Sequence, residues 1–117
     1  MAKHDDHIII GLFKEIEDKE KYPSLYDEIG FPMEPKIKDA VLRYMMRSSE
    51  IARALTTVKD VIDPDSGWRC SPLKLISDGK YEWRSDLPHY VEKYDLRLPE
   101  EFVAHILDSE REKEANK

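Results

Sequence analysis

The chain has 117 residues, 38% of them charged, and a net charge of −6. This composition predicts one globular domain over residues 1–117 and argues against a nucleic-acid binder, which normally carries a basic surface. The excess acid lies at the two ends, because residues 1–20 and residues 99–117 each contain six acidic and three basic residues. Acidic ends keep a protein soluble or attract a basic partner.

The sequence favours the cytoplasm and gives no sign of a membrane or a cofactor. The longest apolar run, residues 7–13, is far shorter than the roughly 20 residues that span a bilayer, and it lacks a secretory leader pattern. Cys70 is the only cysteine, so an internal disulfide cannot form. No glycine-rich phosphate loop is present, so we expect no nucleotide cofactor. Loose ends are expected at residues 1–6 and 110–117.

Residues 6–20 have the spacing of a first helix. Its apolar positions recur every three or four residues, at Ile9, Leu12, Phe13 and Ile16. Asp5 or Asp6 can cap its first turn. Three successive isoleucines and Gly11 lower the helix propensity, so a short strand at residues 8–10 is the alternative.

A turn-rich connector is predicted over residues 22–34. Ser24 can cap one short helical turn that carries Leu25, Tyr26 and Ile29. Gly30 then ends this turn.

The longest predicted helix covers residues 35–55, with Pro35 in its first turn. A broad apolar stripe follows the helical period, at Ile37, Ala40, Val41, Tyr44, Met45, Ser48, Ile51, Ala52 and Leu55. Such a stripe predicts a face that is buried in the core.

Two other faces of this helix are candidate partner-binding surfaces. Lys36, Arg43 and Arg47 form a basic line, which either contacts a partner or pairs with acids of the same helix, such as Asp39 and Glu50. Leu42 and Met46 point away from the apolar stripe. They indicate either a second covered side or a contact with another chain, including a homodimer.

A hairpin is predicted around Asp78 and Gly79, between strands at residues 73–77 and 80–83. The Asp-Gly pair favours a type I′ turn, in which both central residues have positive φ. An edge strand at residues 56–62, followed by a turn at residues 63–67, can supply a third strand. We then expect a helix capped by Ser85 and ending near Tyr94, and a last helix opened by Pro99.

The C-terminal third is predicted to form the core. Residues 77–106 contain five of the eleven aromatic side chains, namely Tyr81, Trp83, Tyr90, Tyr94 and Phe102. The sequence therefore predicts an α+β fold, a mainly helical single domain with a small antiparallel hairpin or three-stranded sheet.

Asp86, His89 and Tyr90 are the candidate catalytic residues. Asp86 and His89 are one helical turn apart, and a carboxylate beside an imidazole favours its charged form, so His89 could serve as an acid–base group. No serine or cysteine nucleophile pattern accompanies them, and the helical period places His89 on the solvated side. We therefore prefer a non-catalytic interpretation. His105 is expected to be partly buried with a backbone or tyrosine partner.

The segment His4-Asp5-Asp6-His7 has the residue types of a metal site. It lies at the start of the chain, with no second shell of side chains to orient the ligands. We therefore predict no metal site.

A block over residues 78–94, D-G-x-Y-x-W-x-x-D-L-x-x-Y-V-x-x-Y, is followed by L-P-E-E-F at residues 98–102 and by His105. This pattern resembles one in small bacterial proteins of uncharacterised function, some of them similar to immunity-type or accessory proteins. Arg84 stands where proline is common in that pattern. The resemblance implies a single fold and a bacterial cytoplasmic origin, and it supplies no established catalytic residue. The acidic ends, the many charged residues and the lack of a coherent catalytic set favour a non-enzymatic accessory protein that acts through protein–protein contacts. The alternative is a small enzyme built around Asp86, His89 and Tyr90.

Overall fold

The computed structural model describes residues 7–115, which form four α-helices and six β-strands. The helices are α1 (Lys14–Glu17), α2 (Pro35–Arg47), α3 (Leu87–Tyr94) and α4 (Glu100–Ala115). The strands are β1 (Ile8–Ile9), β2 (Ser49–Ala54), β3 (Val58–Lys59), β4 (Arg69–Cys70), β5 (Leu73–Ser77) and β6 (Tyr81–Arg84). The predicted α+β class is confirmed. None of the described helices is both long and apolar enough to cross a membrane.

The main sheet is built around the predicted hairpin. Its strand order is β1-β6-β5-β2, with β5 antiparallel to both β6 and β2, and β1 parallel to β6. The hairpin is confirmed, but the expected third strand does not come from residues 56–62. Instead, β3 pairs with β4 in a separate two-stranded sheet. The additional strands of the main sheet come from β1 and β2.

The hairpin turn differs from the predicted type I′ turn. Gly79 has a φ of 102°, whereas Asp78 is not among the residues with positive φ. The Asp78 amide donates to the Tyr81 carbonyl, and the Asp78 side chain accepts from the amides of Lys80 at 2.9 Å and Tyr81 at 2.7 Å. The turn is therefore centred on Gly79 and Lys80, because the Asp78 carboxylate binds the amides of Lys80 and Tyr81.

The long predicted helix ends eight residues early. α2 stops at Arg47, Ser48 is extended with a ψ of 164°, and its Oγ donates to the Tyr44 carbonyl at 2.8 Å. Serines are weak helix formers, and pairing with β5 gives the following backbone groups other partners. The predicted stripe beyond this point was therefore wrong: Ile51 and Ala52 lie in β2, whose six residues are all exposed.

The first predicted helix is largely a strand and a loop. Ile8 and Ile9 pair with Tyr81 and Glu82 of β6, and only α1 is helical. The strand alternative at residues 8–10 is therefore the one that the structure supports. Gly11 follows with a φ of 79°, and an added Cβ would lie 2.8 Å from Leu87 Cδ2. The proposed caps Asp5 and Asp6 lie outside the described residues.

The remaining local predictions concern where the helices begin and end and which residues cap them. Ser24 caps a single 3-10 turn, Leu25–Asp27, and accepts from the Tyr26 amide, as predicted. Asp86 occupies the N-cap position of α3, and the predicted cap by Ser85 is wrong, because Ser85 Oγ accepts from the Lys74 amide at 2.9 Å. α4 follows Pro99 as expected and extends to Ala115.

The aromatic residues of β6, α3 and α4 form the centre of the core. Tyr81 and Trp83 lie on the face of β6 that packs against Phe102, with ring centroids 4.8 and 5.3 Å apart. Trp83, Tyr90 and Phe102 are fully buried. Among the described residues Trp83 Nε1 has no hydrogen-bond partner, so this ring acts through packing. Each buried large side chain contributes roughly 1.5–3 kcal/mol.

Candidate functional site

Asp86 and His89, the predicted acid–base pair, are not in contact with each other. Asp86 instead forms a two-point ion pair with Arg84, whose Nε and Nη2 lie 3.1 and 3.0 Å from its carboxylate oxygens. Arg84 also binds Glu17 of α1 at 3.1 Å. Burial raises the pKa of Asp86, although Arg84 opposes the rise. The predicted contact fails because Asp86 lies at the N-cap and is paired with Arg84 of the adjacent strand.

His89 is oriented by a carboxylate that the sequence analysis missed. Its Nε2 lies 2.7 Å from Oδ2 of Asp60, which is fully buried in the loop after β3. The same oxygen accepts from the Tyr94 hydroxyl at 2.7 Å. The other oxygen accepts from the amides of Ile62 and Asp63 at 2.8 and 2.9 Å. Burial alone would raise the pKa of Asp60, but these hydrogen bonds lower it to about 2.

Tyr90 is part of the same attachment of the loop to α3. Its hydroxyl accepts from the Val61 amide at 2.9 Å and donates to the Lys59 carbonyl at 3.4 Å. Burial raises the pKa of Tyr90 to about 12. Burial and the Asp60 carboxylate also raise the pKa of Tyr94. Both tyrosines are therefore protonated near neutral pH. The Tyr90 hydroxyl is bonded to the backbone of the loop and is not directed at a reacting group.

Trp68 covers one face of His89. The two rings stack with their centroids 3.8 Å apart and their planes 12° from parallel. His89 is mostly buried, contrary to the solvated position predicted from the helical period. Its Nδ1 has no hydrogen-bond partner within residues 7–115. The result is a fixed imidazole with one occupied nitrogen and one unoccupied nitrogen.

A cleft of about 320 Å³ adjoins this imidazole, between α2 and α3. Its lining is mainly apolar and includes Leu42, Met45, Met46, Ile76, Trp83 and His89. Leu42 and Met46, which the sequence marked as partner-binding, therefore lie together on one wall of the cleft. A cleft with an apolar lining and few polar groups is the usual form of a binding site.

The described residues provide no activated nucleophile or metal cluster at this cleft. Ser85 lines it, but its hydroxyl is bonded to the Lys74 amide and lies 3.3 Å from the Cys70 sulfur. No group of three or more metal-binding side chains occurs in the part of the chain described. Of the predicted metal segment, residues 4–6 lie outside that part, and His7 contacts the buried Glu82.

The basic line on α2 is partly neutralised by α4. Arg47 Nη2 lies 2.6 Å from Glu110 Oε2, and Arg43 lies 3.6 Å from the other oxygen. Arg47 lowers the pKa of Glu110. The alternative of pairing with Asp39 or Glu50 is not seen among the described residues, because α4 places Glu110 within reach and Glu50 lies in β2. Lys36 is exposed.

His105 has a tyrosine partner, as the sequence predicted, and a carboxylate partner that was not predicted. Its Nε2 lies 3.3 Å from the Tyr44 hydroxyl and 3.0 Å from the Asp78 carboxylate. The Tyr44 hydroxyl donates to that carboxylate at 2.5 Å. Burial would raise the pKa of Asp78, but hydrogen bonds from Tyr44 and nearby amides lower it. This cluster joins α2, the hairpin turn and α4, which is a structural role.

The second candidate site is the free edge of the main sheet. β2 is the end strand, with β5 as its neighbour within the described sheet. Three apolar side chains near it are exposed: Met46 by 75%, Ile51 by 44% and Leu55 by 97%. Glu50 and Arg53 form a two-point ion pair at 2.5 and 2.7 Å. We call Met46, Glu50, Ile51, Arg53 and Leu55 the β2 surface.

The β2 surface and the cleft are continuous. Lys74 lines the cleft, and its Nζ lies 3.8 Å from Glu50 Oε1. Met46 belongs to both. Comparisons with protein-family models, with curated proteins and with solved structures gave no match. The functional assignment therefore depends on these two neighbouring features.

Proposed function

We propose that the protein is a non-enzymatic binding protein that acts through protein–protein contacts at the β2 surface. The observation that supports this proposal is the exposure of the whole edge strand together with Ile51 and Leu55. Proteins usually protect an edge strand with charges, proline or a bulge, because its backbone groups pair readily with another chain. β2 has a bulge and one ion pair, yet its apolar side chains are exposed to solvent. Such an edge suits a partner that adds an extended strand.

The resemblance of residues 78–105 to small bacterial proteins extends the proposal. We place the protein in a bacterial cytoplasm, as an accessory protein of immunity type. The net charge of −6, concentrated at the two ends, favours a partner with a basic surface. Leu42 and Met46 would contribute apolar contact from the cleft wall. Lys36, Arg43 and Arg47 remain candidate rim contacts, although Glu110 already engages both arginines.

Affinity capture from the native host tests this proposal. Wild type is compared with Ile51→Lys and with Tyr26→Lys, a control of similar exposure on a different part of the surface. We expect one main partner to bind wild type and the control but not Ile51→Lys. Capture should weaken at higher salt, since steering toward a basic partner is screened. The same set of proteins on all three variants would refute a role for β2.

A second candidate function is acid–base catalysis in the cleft, with His89 as the base and Asp60, rather than Asp86, as the residue that orients it. The 2.7 Å contact and the unoccupied Nδ1 favour it, because a histidine held by a carboxylate is a common catalytic arrangement. A screen of small ester and amide substrates tests it. Turnover that disappears in His89→Gln but persists in His105→Gln would support catalysis. If no substrate shows turnover that depends on His89, the catalytic proposal is refuted and only the binding proposal remains.

A further inference from the structure

We propose that β2 pairs with β2 of a second copy of this chain, antiparallel and about a two-fold axis. This inference rests on the proposed function of β2 as a binding edge and names a partner for it. Pairing would join the two four-stranded sheets into one continuous sheet. Each copy would cover the exposed backbone edge of the other.

The strand sequence S-E-I-A-R-A is complementary to itself when it runs antiparallel. In the register that places Glu50 opposite Arg53 of the second copy, Arg53 also meets Glu50 of that copy, and Ile51 meets Ala52. Every charged side chain then faces one of opposite sign, which stabilises an antiparallel pair. A register centred on Glu50 would oppose two carboxylates, and one centred on Arg53 would oppose two guanidinium groups. The charge pattern therefore disfavours these two registers and favours the first, in which both charges have a partner of opposite sign.

The pairing of β2 with β5 places these charges on one face of the sheet. Glu50 is opposite Ile76 and Arg53 is opposite Lys74, and Ile76 and Lys74 are two positions apart on β5. Side chains two positions apart share a face of a strand. The irregularity in β2 between Glu50 and Ala52 allows residues three positions apart to share that face. In a dimer the two ion pairs would therefore meet at the two-fold axis as four alternating charges.

The charge of the whole molecule also favours this site for a second copy. Two copies with a net charge of −6 repel each other over most approaches. β2 is electrically neutral, with one glutamate and one arginine, and Lys74 lies beside it. The charges of β2 therefore add nothing to this repulsion where the strands would pair. The same symmetry brings Leu55, 97% exposed in the single chain, beside Ser48 of the second copy.

Sedimentation equilibrium over a wide range of protein concentration tests the inference. We expect wild type and Tyr26→Lys to change reversibly from monomer to dimer as the concentration rises. Ile51→Lys should stay monomeric, because a lysine in an edge strand opposes pairing. Circular dichroism melts of each variant confirm that it is folded. A wild type that stays monomeric throughout, or an Ile51→Lys variant that dimerises like wild type, would overturn the inference.

Charge complementation tests the register itself. Glu50→Arg and Arg53→Glu each place like charges opposite one another in the proposed dimer, so each variant alone should be monomeric. In an equimolar mixture every opposed pair is again unlike in charge, and dimers should return. A mixture that stays monomeric while wild type dimerises would overturn the register. A monomeric wild type whose capture of another protein still depends on Ile51 would refute self-pairing and leave the proposed binding function intact.

Discussion

Replacing Asp60 with alanine is expected to lower the free energy of unfolding by roughly 3–5 kcal/mol. This is the usual cost of removing one partner from a buried charged network. The carboxylate accepts two backbone amides, the Tyr94 hydroxyl and the His89 imidazole. A hydrogen bond to a charged group contributes roughly 1.5–3 kcal/mol, and bonds to one acceptor do not add fully. Since small domains are stable by only about 5–15 kcal/mol, this substitution should remove a large part of the total.

The acid dependence of stability gives a second measure of the same group. Asp60 has a pKa of about 2 in the folded chain against 3.8 for an ordinary aspartate, so the folded state binds this proton more weakly. Its stabilising contribution is therefore complete above pH 3.8 and is lost as the pH falls to about 2. The difference corresponds to roughly 2 kcal/mol. Asp86, whose pKa burial raises, works in the opposite direction. Asp60→Asn should remove the part of the acid dependence of stability that comes from Asp60.

Urea unfolding measured between pH 2 and pH 7 checks both expectations. Tryptophan fluorescence is a suitable signal, because Trp68 stacks on His89 and Trp83 is fully buried. Asp65→Ala is the matched control, since Asp65 is an exposed aspartate in the same loop region. If Asp60→Ala were no less stable than Asp65→Ala, the Asp60 network would contribute nothing to the fold. An unchanged difference between wild type and Asp60→Asn from pH 5 to pH 2 would refute the lowered pKa.

Three further substitutions have expected outcomes in the same unfolding assay. Trp83→Ala should cost roughly 3–5 kcal/mol through the cavity it leaves, and an unchanged midpoint would show that the ring is not central to the core. Gly11→Ala should cost more than Gly30→Ala, because both glycines have positive φ but only the Cβ at Gly11 would collide with Leu87; equal losses would contradict the contact. Glu110→Gln should lower the free energy of unfolding by less than about 1 kcal/mol, and by still less in high salt. A larger loss of stability that does not depend on salt would argue against a surface ion pair.

The elements that the sequence predicted well are those whose signal is local. The hairpin around Gly79, the cap at Ser24 and the start of α4 after Pro99 each depend on residues within a few positions of one another. The end of α2 is different. The stripe of apolar residues continues past Ser48 with helical spacing, and only the presence of β5 alongside makes a strand the better conformation there. Ile8 and Ile9 are strand residues for the same reason, since β6 supplies their partners.

The candidate site shows the same division between near and distant contacts. The sequence identified His89 as a histidine with a carboxylate neighbour, but it assigned Asp86, three positions away. The structure brings Asp60 to it from 29 positions away. Asp60 is followed by Val-Ile-Asp-Pro, a pattern that predicts local bonds from its carboxylate to the next amides. Nothing in the sequence indicates that the other oxygen would meet His89 and Tyr94, because that contact depends on how the loop lies across α3.

The parallel pairing of β1 with β6 determines when the sheet can be completed during synthesis. His7 and Glu82, which are in contact, are 75 positions apart, and β5 and β6 must leave the ribosome before β1 has a place to bind. Until then, β1 has no strand to pair with. Its apolar isoleucines remain exposed and can bind chaperones or cause aggregation. Stalled chains ending before residue 81 should be sensitive to protease throughout, whereas full-length chains released from the ribosome should become resistant in a single step.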